Sequence, residues 1–194
     1  LDKYSAVGAG PGIGTHAVTA KAVEELLKKS GKPLVLDADA INILAQSPGL
    51  LSSIPENTIL TPHPGEFDRL VGKSANACLR NQIQIEFSKK YGVIILLKGA
   101  YTSVSLPNGK CYFNSTGNPG MATAGCGDVL TGMILSLLAQ GYAPDEAAIT
   151  GAYMHGLAGD MAAAEHGEQA LIASDVVEQI GNAFKTIESH DHTA

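Results

Sequence analysis

Residues 118–130 read Asn-Pro-Gly-Met-Ala-Thr-Ala-Gly-Cys-Gly-Asp-Val-Leu and lead straight into an apolar helical run. A Gly-rich turn at a helix N-terminus aims several unpaired backbone N–H groups at one point, where the helix dipole also favours negative charge. The segment reads as a holder for an anion such as a phosphoryl group. Gly120 and Gly125 have the spacing of a P-loop, but Cys126 and Gly127 stand where Lys and Ser or Thr should follow, so that assignment fails. Asp128, at the end of the loop, has two readings. It is a base for a hydroxyl attacking a phosphoryl group, or a first-turn acid that complements the helix dipole. Neighbouring N–H groups favour the charged carboxylate and weaken it as a base.

Other places carry chemistry of their own. Thr61-Pro-His-Pro-Gly-Glu66 follows a short strand, which puts His63 and Glu66 at the sheet edge that the Gly-rich loops share. Glu66 there holds Mg2+ through water or only stabilises a helix, while His63 stacks on or hydrogen-bonds a substrate. Lys98 closes an aliphatic strand and either meets a nucleotide phosphate or snorkels to solvent, the latter being the reading from sequence alone. Asp37 and Asp39 are metal ligands or turn caps acting through Asn42, and the structural role is preferred. Gly10-Pro-Gly-Ile-Gly14 misses the dinucleotide fingerprint at Thr15 and either admits a ligand close to backbone or makes a tight turn. His16, His155 and His166 share no ligand spacing and read as structural or surface residues.

These residues need an element behind each of them. Tyr4–Ala9 reads as a short buried strand, followed by further strands at Pro33–Leu36, Thr58–Leu60 and Val93–Leu97. Thr102–Leu106 and Cys111–Asn114 flank an Asn108-Gly109 turn and predict an antiparallel hairpin. Helices are predicted over His16–Lys29, from the Pro64 turn through Leu70, and over Ala77–Tyr91. Another runs to a stop at Gly141, with Leu130, Met133, Ile134, Leu137 and Leu138 at helical spacing. Asp145–Glu165 is alanine-rich, with Gly151, Gly156 and Gly159 allowing close approach to a neighbour. Ser174 is expected to cap a last helix carrying Val177, Ile180, Phe184 and Ile187, with His190–Ala194 as a frayed tail. Alternating strands and helices predict a three-layer α/β/α fold with a mostly parallel, doubly wound sheet and an antiparallel edge hairpin. Its site lies at the carboxyl ends of the strands. Residues 1–194 form one unit.

Composition narrows the function. The 194 residues are 45% hydrophobic and 16% charged, as in a single globular domain with a core of its own. The net charge of −6, with no run of Lys or Arg, argues against nucleic acid as a partner. Val129–Leu138, the longest apolar stretch, is about half of the roughly 20 residues that span a bilayer. The three cysteines, Cys78, Cys111 and Cys126, form no CxxC pair, so a reducing cytoplasm is the expected setting. A Cys126 thiol made acidic by the helix N-terminus would be an oxidation point.

Taken in order, Gly10–Gly14, Leu36-Asp-Ala-Asp-Ala-Ile-Asn42, Thr61–Glu66, Lys98–Thr102 and Gly117–Gly132 resemble the ADP- or ATP-dependent NAD(P)H-hydrate dehydratases of the ribokinase-like superfamily. The resemblance covers nearly the whole chain. It implies a repair enzyme that phosphorylates the hydroxyl of hydrated NADH or NADPH with ADP and then eliminates phosphate. The products are the reduced dinucleotide, AMP and phosphate. By the same resemblance Asp128 is the catalytic base, and the N–H groups around Gly125, Cys126 and Gly127 stabilise the transferring phosphoryl. Lys98, Gly99, Ala100, Tyr101, Thr102, Asn118 and Gly127 bind the nucleotide. Gly10, Gly12, Gly14, His63 and Asp128 meet the hydrated dinucleotide, Glu66 is the acid associated with Mg2+, and the enzyme is a homo-oligomer, in many members a tetramer. The family has a further stretch before the position of Leu1, so the chain is expected to be incomplete at its N-terminus. Cys126 departs from the Thr or Ser common in the anion loop, which removes a hydroxyl contact and keeps the N–H. Two other readings stay open: a kinase of the same superfamily acting on a small alcohol such as a vitamin precursor, and a nucleotide-binding module without catalysis.

Overall fold

An aliphatic run such as Leu34–Leu36 or Ile94–Leu97 offers water no polar face, and each is buried along its whole length. The computed structural model describes residues 3–191. It arranges these runs in a six-stranded sheet whose spatial order is the chain order: β1 (Val7–Ala9), β2 (Leu34–Leu36), β3 (Ile59–Leu60), β4 (Ile94–Leu97), β5 (Ser103–Ser105) and β6 (Cys111–Phe113). β1 to β4 are parallel, with Ala9 beside Leu36, Leu36 beside Leu60 and Leu60 beside Ile95. β5 and β6 turn back antiparallel, forming the edge hairpin that Asn108-Gly109 predicts.

Alternation along the strands sorts the side chains into two cores. Leu34, Leu36, Leu60, Ile95 and Leu97 face α1 (Ala17–Lys29), α2 (Ala38–Gln46), α3 (Pro64–Val71) and α4 (Ala77–Tyr91), meeting Val23, Leu27, Ile41, Leu44, Phe67 and Phe87. Val35, Ile59, Ile94, Leu96 and Val104 face α5 (Cys126–Ala139) and α6 (Pro144–His166). Because the parallel strands follow one another without reversal, right-handed crossovers put α1 to α4 on one face and leave the other to the C-terminal helices. α7 (Ala173–Asp191) completes that layer in a third cluster with Met133, Met154 and Ala158. The Ala- and Gly-rich stretch of α6 is core within the chain: Ala158 and Ala162 are fully buried, and a Cβ on Gly151 would come 2.7 Å from Ile134 Cγ1.

A buried polar clamp ties the hairpin to α4. Gln84 Nε2 donates to the carbonyls of Ile95 at 3.0 Å and Ser103 at 3.2 Å, and Ser103 Oγ donates to Gln84 Oε1 at 2.8 Å. With every partner satisfied, such a network fixes one geometry. It holds β4 against β5 and so the 98–102 turn between them.

Three expectations change. β1 is a half-buried edge strand that begins at Val7, and Tyr4 is exposed. Ser174 is not the cap of α7, which starts at Ala173; Asp175 Oδ2 accepts the Ile172 N–H at 2.9 Å instead. The buried side of that helix is Val176 and Ala183 with Ile180 and Ile187, whereas Val177 and Phe184 are 50% and 36% exposed. α7 runs on through His190 to Asp191, and the remaining 192–194 of the expected tail lie outside the described residues.

Candidate active site

α5 begins where the chain turns through Gly125 at φ +91°, a left-handed conformation that side chains rarely adopt. The Val129 N–H is the first to close a helical bond, onto Gly125 O at 3.0 Å, so the turn before it presents backbone N–H groups at the positive end of the helix dipole. Gly127 matters for a different reason. A Cβ there would stand 3.3 Å from Lys98 Nζ, so the missing side chain leaves the ammonium a few tenths of an ångström more room against the loop. Cys126 is buried beneath it. Burial pushes its thiol up, only partly opposed by a hydrogen bond from the Thr123 backbone, so the acidic, oxidation-prone thiol expected from the helix N-terminus is not what the fold makes.

Lys98 does not snorkel. Its Nζ donates to Asp37 Oδ1 at 2.8 Å, and Thr131 Oγ1 of α5 donates to Asp37 Oδ2 at 2.8 Å. Asp37 is 1% exposed and makes no side-chain cap bond; it stations Lys98 at the loop. The next residue, Ala38, sits at φ +44°. That is strained for a residue with a Cβ and costs about 1 to 2 kcal/mol. Asp39 bears out the structural reading: it accepts the Gly14 N–H at 2.9 Å and Asn42 Nδ2 at 3.4 Å, while Arg69 Nε donates to Asn42 Oδ1 at 2.9 Å. The Gly10–Gly14 loop is thereby tied to α2 and α3. A Cβ on Gly10 would fall 1.8 Å from Asp37 O, so this loop lies directly on the backbone that carries the Lys98 partner.

Between these parts and α6 opens a cavity of about 680 Å³. Lys98, Gly99, Ala100, Thr102, Asn118, Cys126, Gly127 and His63 of the expected site residues are on its wall. Tyr101 is 80% exposed, and Gly10, Gly12, Gly14, Gly125 and Asp128 do not line it. Asp128 is exposed on the first turn of α5, and the Gly10–Gly14 loop stands at the end of β1. The structure therefore puts part of the expected residues on the cavity wall and leaves Tyr101, Gly125, Asp128 and the Gly10–Gly14 loop off it.

Much of the wall was not legible beforehand. Asp160 of α6 accepts the Gly117 N–H and Asn118 Nδ2, both at 2.9 Å, and Thr116 Oγ1 donates to Tyr153 O at 2.8 Å. Gly156 makes this contact possible, because a Cβ on it would be 2.2 Å from Thr116 Oγ1. His155 of α6 also lines the cavity.

His63 and Glu66 form a capping box for α3. His63 Nδ1 accepts the N–H groups of Gly65 and Glu66 at 3.0 and 3.2 Å, Glu66 Oε2 accepts the His63 N–H at 2.8 Å, and Oε1 lies 3.3 Å from His63 Nε2. Both carboxylate oxygens are thus engaged. Among the described residues no group of three His, Cys, Asp or Glu could hold a metal ion. A protein-built Mg2+ cage does not fit these residues. Glu66 is the acid that the resemblance assigns to Mg2+, and an ion near it would have to be held chiefly by nucleotide phosphates and water.

Comparison with known proteins gives the family. A family profile described as NAD(P)H-hydrate dehydratase matches residues 1–182. A bifunctional NAD(P)H-hydrate repair enzyme of Moorella thermoacetica is 41% identical over 195 residues, covering 100% of this chain and 37% of that protein. An ADP-dependent (S)-NAD(P)H-hydrate dehydratase of Neisseria meningitidis is 44% identical over 160 residues, 80% of this chain and 53% of that one. The chain thus spans about a third to a half of the length of these relatives. The solved ADP/ATP-dependent NAD(P)H-hydrate dehydratase of Bacillus subtilis, co-crystallized with ATP/Mg2+ and soaked with CoA, superposes with a TM-score of 0.84 at 33% identity, over 96% of this chain and 68% of that one. The fold is ribokinase-like. Since the match runs through both sheet faces and through every loop that borders the cavity, the chain belongs to the NAD(P)H-hydrate dehydratase family.

Proposed function

We propose that this chain carries the ADP-dependent dehydration of (S)-hydrated NADH and NADPH. The observation that carries the reading is the meeting of Lys98 with the N-terminal turn of α5 at Gly127, on the wall of a cavity large enough for a nucleotide. In this reading the cavity takes ADP. Lys98 and the amides of Gly125–Gly127 cradle the β-phosphoryl as it moves and balance the charge that spreads over its oxygens. Asp128 takes the proton from the substrate hydroxyl as its oxygen bonds to phosphorus, and the resemblance assigns the Gly10–Gly14 loop and His63, which stands on the cavity wall, to the same substrate. The P–O bond to AMP breaks in the same step. The carbon–oxygen bond of the new phosphate ester then breaks, phosphate leaves, and the adjacent ring carbon loses a proton to restore the reduced nicotinamide. Mg2+, when bound, neutralises phosphate charge.

Asp37 keeps Lys98 from swinging to solvent, and the capping box keeps His63 in place. The resemblance also implies a homo-oligomer, up to a tetramer, which sedimentation at working concentration checks. A cytoplasmic setting belongs to the same reading. Among the described residues no helix is long and apolar enough to cross a membrane.

Product analysis separates this function from its rivals. Hydrated NADH and ADP with the chain should yield AMP and inorganic phosphate in equal amounts. A kinase of a small alcohol leaves a stable phosphate ester and no free phosphate, and a binding module yields neither AMP nor phosphate.

A further inference from the structure

Residues 114–121 cross α6 as a strap, and the part of α6 that meets them is one helical stripe: Ala152, Tyr153, Gly156, Gly159 and Asp160, spaced i, i+1, i+4, i+7 and i+8. Two glycines let the strap lie on the helix. A Cβ on Gly156 would run into Thr116, and one on Gly159 would fall 2.2 Å from Met121 Sδ. Ahead of them the carbonyls of Ala152 and Tyr153 accept from Asn114 Nδ2 at 3.2 Å and Thr116 Oγ1 at 2.8 Å. Past them Asp160 is the charged side chain of the stripe, and both its oxygens are engaged: Oδ2 accepts the Gly117 N–H and Oδ1 accepts Asn118 Nδ2, each at 2.9 Å. Asn118 Oδ1 in turn accepts the Gly120 N–H at 3.1 Å, which caps the single turn Pro119–Met121. A turn of three residues can fix its own shape but not its place, and here the place comes from Asp160.

That position needs a carboxylate. A backbone donor and an amide donor arrive together, and a carboxylate offers an acceptor to each with no hydrogen of its own in the way, its charge strengthening both bonds. The strap that it holds is cavity wall: Gly117, Asn118, Pro119 and Met121 line the cavity of about 680 Å³ along with Lys98 and Gly127. Asp160 is not on the wall itself. We infer that Asp160 is a positioning residue for the phosphoryl donor: its two-pronged bond to Gly117 and Asn118 places the wall against which the nucleotide packs, and so sets ADP affinity without touching the transfer. This rests on the assignment of the cavity to ADP. Neither bond reaches Lys98, the Gly125–Gly127 turn or Asp128, so the loss of either falls on binding and not on the chemical step.

Calorimetric titration with ADP, steady-state kinetics with hydrated NADH, and amide exchange of the ligand-free chain test this on the wild type, Asp160→Asn and Asp160→Glu. Asparagine keeps the shape but turns its NH2 toward one of the two donors. The Gly117 and Gly120 amides should exchange faster in that variant, and ADP should bind roughly tenfold more weakly, as for one charge-assisted hydrogen bond that the nucleotide must restore. The KM for ADP should rise by the same factor, while kcat at saturating ADP and the KM for hydrated NADH hold. A variant that had merely lost folded protein would show the reverse, a lower kcat at an unchanged KM. Glutamate keeps both acceptors on a longer stem and should recover most of the ADP affinity, and Asp160→Ser serves if the Asn variant does not fold. Faster exchange with ADP affinity and KM unchanged, a kcat loss at constant KM, or glutamate no better than asparagine overturns the inference and leaves the cavity assignment standing. Wild type that binds no ADP refutes the cavity assignment, and this inference with it.

Discussion

Removing the Asp37 carboxylate should cost about 3 kcal/mol. It accepts two hydrogen bonds of 2.8 Å, one from the Lys98 ammonium and one from the Thr131 hydroxyl, at a position 1% exposed. Asp37→Ala leaves the buried Thr131 hydroxyl without its acceptor and the ammonium without its counter-charge. Breaking one side of a buried ion pair costs about 3 to 5 kcal/mol. The Lys98 side chain is 21% exposed and can turn partly to water, which places the cost at the low end. A loss of about 3 kcal/mol is on the order of a hundredfold in the folding constant, and for a chain of this size lowers the thermal midpoint by roughly 6 to 12 °C. Urea unfolding of Asp37→Ala, Lys98→Met and the double variant measures the cost and the coupling. The double variant should cost clearly less than the sum of the two, because each single change strands the other partner. An Asp37→Ala cost below about 1 kcal/mol, or strict additivity, would refute the claim that the pair is interdependent and buried.

Three other outcomes follow from the geometry. His155 is neutral when folded and titrates near 4, against 6.5 for the free group, so stability is full above pH 6.5 and is lost as pH falls toward 4. The total is about 3 kcal/mol, and unfolding measured across that window should show a slope that His155→Phe flattens; identical slopes would contradict the burial argument. Gly156→Ala drives a Cβ to 2.2 Å from Thr116 Oγ1. Overpacking of about 1 to 3 kcal/mol there outweighs the helix-propensity gain of about 1 kcal/mol, so stability and ADP affinity should fall together, and a more stable variant would count against the close approach. Ala38→Gly relieves the +44° backbone angle. Its midpoint should hold or rise, where Ala→Gly within an ordinary helix costs about 1 kcal/mol.

The parts of the fold that were legible in the sequence depend on neighbours in the chain. Buried aliphatic runs announced β2 and β4, Asn108-Gly109 announced the hairpin, and the spacing from Leu130 to Leu138 announced α5. The anion loop was legible because Gly125, Gly127 and the helix start are contiguous. What was not legible depends on strand order. Asp37 and Lys98 end β2 and β4, with β3 between them, and meet across 61 residues; Thr131 joins from 94 residues away. The close approach at Gly156 was legible from the glycines of this alanine-rich helix, but Asp160 and His155 gained a role only when the 114–118 segment was laid against it. Half of the expected face of α7 is right, since Ile180 and Ile187 pack inward; Val177 and Phe184 are displaced from it by their neighbours Val176 and Ala183, which take the buried positions. Gln84 carries no motif at all, and only the packing of α4 on the hairpin gives it a role.

The most direct test of the account is the return of reduced-nicotinamide absorbance when the chain is given hydrated NADH, Mg2+ and either ADP or ATP, with Asp128→Ala alongside. Recovery should require the nucleotide, be faster with ADP, and disappear in the variant while its ADP affinity stays. Recovery that persists in Asp128→Ala, or wild type that binds both ligands and restores no absorbance, would contradict it.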